Sequence, residues 1–330
     1  MSSSEDEDSV WIPYSERDEW KDVVPIKQSD DDNVARINYT DKFRDVYGYI
    51  WAIFAKKEIS KRALDLTKDA AELNPSNYTV WHYRRLLLDE LGVDLNVERD
   101  YCRDIMEENP KCYQVWEHRK KLVEKTNDPS KELRFTEIIL AKDAKNYHAW
   151  QHRLWVVCTY KLFDEEINYT DRLLKDDIYN NSAWNHRHAV MDLLENGEFS
   201  GNALQSEVNF ALEAIESVVD NESSWSYLTT LLEKSSSKDY PEINDKINKF
   251  IQKLYDEKIV NIYMLGAWID LHEFWIKNDP NNIEVHLNKI QEVVELLAKK
   301  FDVGREKYWT YLGKKISNDY RNCAVTSSTT

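Results

Sequence analysis

An all-α chain built from stacked helix pairs is what this sequence predicts, and three observations predict it. Tryptophans recur at positions 81, 116, 150 and 184, steps of 35, 34 and 34 residues, and each stands three residues ahead of an arginine. A period near 34 marks a helical repeat array, in which one helix pair cannot bury its apolar face without a neighbour. Glycine and proline are scarce (7 each in 330 residues), and runs that alternate apolar and polar in the manner of strands are hard to find. A hydrophobic fraction of 42%, with 12 Trp, 19 Tyr and 9 Phe, is ample for a sizeable core.

Residues 1–35 are acidic and lack sustained periodicity, so they read as a mostly disordered tail that Trp11, Tyr14 and Trp20 could anchor. Helical periodicity begins over 41–56, where Phe43, Val46, Tyr47, Ile50 and Phe54 share a face. A second helix over 60–73 is stopped by Asn74-Pro75. The repeats proper are Ser76–Arg84, Lys111–Arg119, Lys145–Arg153 and Tyr179–Arg187, with a weaker copy at Asn221–Trp225. Helices are expected to open at Asn77, Asn146, Asn180 and Asn221, each four residues before a tryptophan, with Cys112 as the exception. Asparagine suits that place because its side chain accepts from an otherwise unpaired backbone N–H. Within the third repeat, Tyr147, Trp150, Leu154 and Val157 fall on one apolar stripe. The second helix of each pair is expected over about 96–108, 130–142, 164–175 and 202–219. Two later pairs, 223–234 with 241–256 and 261–277 with 282–300, keep the helical pattern without the signature, and 305–317 makes a closing half-unit. The expected organisation is a helical-repeat domain over 36–318 and a disordered tail over 319–330.

Net charge is 44 − 60 = −16, which disfavours a nucleic-acid partner and makes any anion-binding site a local exception. No apolar run approaches the ~18 residues of a membrane span, and the acidic N-terminus is unlike a signal peptide, so a soluble, cytoplasmic protein is expected. The four cysteines show no CxxC spacing, so neither a disulfide framework nor a cysteine zinc site is indicated. His148 and His152 stand at i and i+4, but the HExxH glutamate and a third ligand are lacking, so this chain by itself is not expected to bind a metal or cofactor. Repetition argues that the Trp-x-x-Arg unit is scaffold, with the arginine held by an acid or carbonyl of the next repeat. Lys145 precedes a helix N-terminus, where an anion is favoured, but Lys111 occupies the same repeat position, and the spacing alone does not choose between them. Asn180 reads first as a helix cap.

At these residues the chain resembles the protein prenyltransferase α subunits. The Asn-Tyr-x-x-Trp-x-x-Arg repeats, above all Lys145–Arg153, carry the likeness. Asp41–Tyr47, Asn180–Asn185 and Lys307-Tyr308-Trp309 extend it over about residues 11–317. The α subunit shared by farnesyltransferase and geranylgeranyltransferase type I is the nearest type. The resemblance implies an α-solenoid, tetratricopeptide-like in its helix pairs, that forms a crescent around a β subunit in an obligate heterodimer. It implies transfer of a farnesyl or geranylgeranyl group from its diphosphate to the cysteine of a C-terminal CaaX box, on proteins such as small GTPases. Zinc, which lowers the pKa of that cysteine, and magnesium would belong to the assembled enzyme. Lys145 would stabilise the leaving diphosphate, Tyr147, His148, Asn180, Arg153 and Trp184 would line or support the site, and Tyr113 would lie near the end of the acceptor peptide. A Rab geranylgeranyltransferase α subunit shares the repeats, and a tetratricopeptide-like scaffold with no catalytic part shares the period. Bulky Trp-x-x-Arg at the scaffold's small-residue positions argues against the last.

Overall fold

The computed structural model describes residues 11–27, 37–234, 241–278 and 282–327, and among these it contains fifteen α-helices and no strand. Of the tails expected to be disordered, 1–35 and 319–330, residues 1–10, 28–35 and 328–330 lie outside the described residues. The chain divides into two compact units, Met1–Val156 and Val157–Thr330, where the periodicity suggested one repeat domain. Repeats touch only their neighbours, so a stack has no single centre and a cut crosses few contacts.

In the first unit, α1 (Asp41–Ala55) and α2 (Lys61–Leu73) pack on each other. The segment before them lies against α1: Trp20 sets its ring edge-on to Tyr49 at 5.4 Å, and the Tyr14 hydroxyl donates to Asp69 at 2.6 Å. Gly48 permits this approach, because a Cβ there would stand 3.2 Å from the Cβ of Pro25. The repeats follow as α2 with α3 (Tyr78–Leu91) and α4 (Leu95–Glu108) with α5 (Tyr113–Thr126), and α6 (Glu132–Lys142) begins the next pair, so each signature helix packs on the helix before it and not, as expected, on the one after. Helix α7 (Tyr147–Tyr160) holds the division between the two units, at Val156 and Val157. The asparagine caps form as expected. Asn77 accepts from Thr79 N and Val80 N, and Asn146 from Ala149 N, whereas Cys112 gives α5 no side-chain cap.

The second unit contains α8 (Glu166–Asp176), α9 (Asn181–Leu194), α10 (Gly201–Ser217), α11 (Glu222–Lys234), α12 (Pro241–Asp256), α13 (Ile262–Asn278) and α14 (Ile283–Leu296). A π-helical turn, Leu297–Phe301, leads to α15 (Glu306–Ser327). Helix α15 runs past the boundary expected at 318. Arg321 is paired with Glu284 at 2.9 Å and Tyr320 donates to Glu273 at 3.0 Å, contacts that hydropathy alone does not reveal.

Each repeat tryptophan turns its indole N–H back onto the carbonyl six residues before it: Trp81 to Pro75, Trp116 to Pro110, Trp150 to Ala144, Trp184 to Ile178. The ring thereby closes the turn that starts its own helix while filling the gap to the next pair. The arginines are buried on a ladder of glutamates. Arg84 grips Glu98 through two bonds of 2.7 Å, and His118 of α5 reaches the same carboxylate at 2.8 Å. Glu132, fully buried, accepts from Arg119 at 2.8 and 2.9 Å, from Arg99 at 2.7 Å, and pairs with His152 at 2.8 Å. In the second unit His186 meets Glu166 at 2.7 Å, and Glu207 joins Arg187 at 2.6 and 2.8 Å to the Tyr227 hydroxyl at 2.5 Å.

Burial alone would raise the pKa of Glu98 and Glu132, but hydrogen bonds from histidine and arginine outweigh it and hold both at about 2. Burial pushes His118 and His152 below the ordinary histidine range, so they stay neutral. All four groups therefore bind protons more readily in the unfolded chain, and acid weakens the fold. The loss begins as unfolded histidines charge below about 6.5 and deepens as unfolded glutamates protonate between about 4.5 and 2. The melting temperature by calorimetry is expected to fall steadily from pH 7 to pH 5, and a flat or rising profile would contradict this reading. Glu132→Gln leaves buried guanidinium groups without their counter-charge, so it is expected to cost about 3–5 kcal/mol in urea unfolding. A cost under ~1 kcal/mol, typical of a surface pair, would show the ladder to be dispensable.

Candidate functional site

The turns that open α5 and α7 place the most exposed members of the repeat motif side by side in the first unit. Tyr113 and Tyr147 are the first residues of their helices and remain 60% and 69% exposed. Tyr147 therefore leaves the apolar stripe on which its spacing put it, while Trp150 and Val157 are buried as expected. The reason is directional: a helical side chain leans toward the N-terminus, so the first residue overhangs the turn instead of the core. His148 is half-buried between them, with ring centroids 6.2 Å from Tyr113, 5.6 Å from Tyr147 and 6.4 Å from the stacked Trp116.

Two lysines border these rings. Lys145 is exposed, and its backbone N–H donates to Asp143 Oδ1 at 3.2 Å. Lys111, also exposed, brings its ammonium to Asp143 Oδ2 at 3.1 Å. The bond from Lys111 and the backbone N–H of Lys145 hold the Asp143 carboxyl below the usual carboxylate range. Lys111 has a further neighbour of consequence, since α5 opens without a side-chain cap for its first N–H groups. Cations, uncapped helix N–H groups and aromatic rings on one surface suit an anionic group attached to an apolar body.

The other motif residues lie deeper. Arg153 is 4% exposed and donates to Leu133 O at 2.9 Å and Thr136 Oγ1 at 3.1 Å. In the second unit, Asn180 is 2% exposed and caps α9 through Ser182 N at 3.1 Å and Ala183 N at 3.2 Å. Trp184 packs against Phe210 and Tyr227 at 5.4 and 5.1 Å. These three hold their helices in place and offer no atom to a ligand on the surface. A cleft of about 510 Å³ beside Trp184 carries Asp171, Asp176, Asp177 and Glu213 against one lysine, Lys175, and so suits a cation rather than a diphosphate.

Sequence reasoning expected an acid or carbonyl of the next repeat to hold each arginine, but it missed Asp143 and did not identify the glutamates. A signal was present: each ladder glutamate precedes its histidine or tyrosine partner by 20 residues, at Glu98, Glu132, Glu166 and Glu207. Among the described residues, Glu98, Cys102 and His118 also form a cluster with donor spacing suited to a metal. The chemistry of the set does not fit zinc. Arg84 already holds that carboxylate at 2.7 Å, and a buried guanidinium would repel the ion. In the next repeat Thr136 stands where Cys102 does, and the same Glu–His bond forms without a thiol. Burial also pushes the Cys102 thiol well up, away from the thiolate a metal requires.

The profile of a known family, the protein prenyltransferase alpha subunit repeat, matches residues 60–91, 95–126, 129–160 and 163–194, the four hairpins from α2 to α9. The protein farnesyltransferase/geranylgeranyltransferase type-1 subunit alpha of Dictyostelium discoideum is 36% identical over 330 residues, covering 97% of this chain and 99% of that one. Against its counterpart from Pisum sativum the match is 52% identical but confined to 91 residues, 27% of each chain. Among solved structures, the Candida albicans protein geranylgeranyltransferase-I complexed with GGPP superposes with a TM-score of 0.72 at 27% identity, over 89% of this chain and 97% of that one. No described helix is long and apolar enough to cross a membrane. On the repeats, the near full-length identity and the matching fold, the chain belongs to the α subunits of protein farnesyltransferase/geranylgeranyltransferase type 1.

Proposed function

We propose that this chain is the α half of a cytoplasmic, heterodimeric prenyltransferase that moves a farnesyl or geranylgeranyl group onto the cysteine of a CaaX box. The observation that carries the proposal is the cluster of exposed Lys111, Tyr113, Lys145 and Tyr147 around half-buried His148, in a chain whose relatives are prenyltransferase α subunits. The cluster offers charge and aromatic surface but no nucleophile or base arranged for transfer. A β subunit would therefore complete the enzyme, with the zinc and magnesium held in the assembled heterodimer. Zinc there would activate the acceptor thiol. Small GTPases ending in such a box are the proposed acceptors.

In the reaction a carbon–sulfur bond forms at C1 of the prenyl chain as the carbon–oxygen bond to diphosphate breaks, and the thiol proton is released. Negative charge gathers on the departing diphosphate. A cation fixed beside it in advance stabilises the transition state more than the bound substrate. The motif assigns this task to Lys145, whose ammonium extends freely from the turn. The geometry makes Lys111 its equal or better, because Asp143 orients its ammonium and the uncapped start of α5 adds N–H groups beside it. Tyr147, His148 and Tyr113 would pack against the prenyl chain or the acceptor peptide, while Asn180, Arg153 and Trp184 would act by holding their helices.

Single-turnover rates of the heterodimer carrying Lys111→Ala or Lys145→Ala divide the two lysines. At least one variant is expected to lose about 10²-fold in rate with little loss of prenyl diphosphate affinity. Parental rates in both would remove the cluster from the chemistry. Cys102→Ser heterodimer is expected to keep its full zinc content and turnover, and loss of one equivalent of zinc by elemental analysis would return the metal to this chain.

A further inference from the structure

The chain carries a net charge of −16, yet residues 299–315 hold six cations (Lys299, Lys300, Arg305, Lys307, Lys314, Lys315) against Asp302 and Glu306, so 6 − 2 = +4. Helix α15 sorts them. Its inner face buries Trp309, Gly313 and Ile316, and it lies so close to α14 that a Cβ on Gly313 would stand 3.1 Å from Val294. The outer face carries Lys307, Tyr308, Tyr311, Lys314 and Lys315, all exposed. At ~100° per residue these five fall within an arc of about 120°. Tyr308 and Tyr311 are 50% and 63% exposed. Lys299 and Lys300 are exposed on the π-helical turn just before, and Val303 beside them is 56% exposed. Arg305 is tied to Asp302 at 2.5 Å. Among the described residues, none of the five lysines has a carboxylate within ion-pair distance.

The composition of the face indicates what it meets. Lysines act as point charges and do not require the fixed fork geometry with which arginine selects one carboxylate. Their spread along a convex helix suits a flat array of anions better than a single group. Tyrosines set among lysines are the residues that settle at a bilayer–water boundary, ring inward and hydroxyl in the headgroups. A long polyanion such as a nucleic acid would run onto the acidic remainder of the protein and be repelled. A membrane touches one face only, and the remaining negative charge then turns the rest of the molecule away from it.

We infer that the lysine–tyrosine face of α15, with Lys299 and Lys300, docks the protein on anionic membrane surfaces. Clusters of about four to eight basic residues are enough for such attachment, which is electrostatic and reversible. This reading is independent of which lysine serves the transfer reaction.

The test is co-sedimentation of the purified heterodimer with vesicles of phosphatidylcholine alone or with phosphatidylserine added. The expected result is binding to the phosphatidylserine vesicles only, weakening as salt rises. The K307E/K314E/K315E triple variant should lose at least ~10-fold in partitioning while keeping the parental transfer rate in solution, which shows that it is folded. Parental protein that ignores anionic vesicles overturns the inference. So does binding that the triple variant retains. Parental protein that ignores vesicles but is retained on immobilised polyglutamate also overturns it, in favour of an acidic protein partner.

Discussion

Everything in the repeat stack depends on a buried carboxylate claimed from two sides. Glu132 is held by Arg99 and Arg119 of the hairpin before and by His152 of its own. Such an ion cluster adds little stability over apolar residues of the same volume, because taking the charges out of water costs nearly as much as their attraction returns. The consequence of a wrong neighbour is far larger, since a single unpaired charge in that place is strongly destabilising. Apolar faces alone would let helix pairs slide along one another. The ladder permits one register, and with it one placement of the turns that begin α5 and α7.

Those turns explain why the exposed cluster exists. The tryptophan bonds to the carbonyl six residues back fix the backbone before both helices, helped before α7 by the Asn146 cap, so the next residue projects outward. Tyr113 and Tyr147 are exposed for the same reason that Trp116 and Trp150 are buried: the helix start is pinned, and the three-residue step between them turns one side chain in and leaves the other overhanging. The scaffold and the candidate site are thus two aspects of one nine-residue motif.

The helices were legible in the sequence because their signals are local. Tryptophan spacing, the asparagines at 77, 146, 180 and 221, and Asn74-Pro75 place most helix ends to within a residue or two. The ladder was not legible in the same way. With 60 acidic residues in the chain, no glutamate stands out until its partner is known, and the partner is one hairpin away. Arg153, Asn180 and Trp184 stand out in the sequence as motif residues, but the motif does not say that they face inward. The choice between Lys111 and Lys145 was closed to sequence reasoning for a different reason. A repeat protein presents the same residue in the same setting more than once, and only an unrepeated neighbour, here the cysteine in place of an asparagine before α5, distinguishes the copies.

The spacing along the ladder also says where such a chain is free to grow. From arginine to its glutamate the separation is 14 residues at Arg84, 13 at Arg119 and 20 at Arg187, so the connection from one hairpin to the next varies in length. From glutamate to the histidine or tyrosine of its own hairpin it is 20 in all four cases. Insertions are absorbed between hairpins, as in the longer α9–α10 connection around Gly197, and are refused inside them. New surface on a protein of this design is therefore added along one edge of the stack, while the edge that carries the tyrosines and lysines keeps its length.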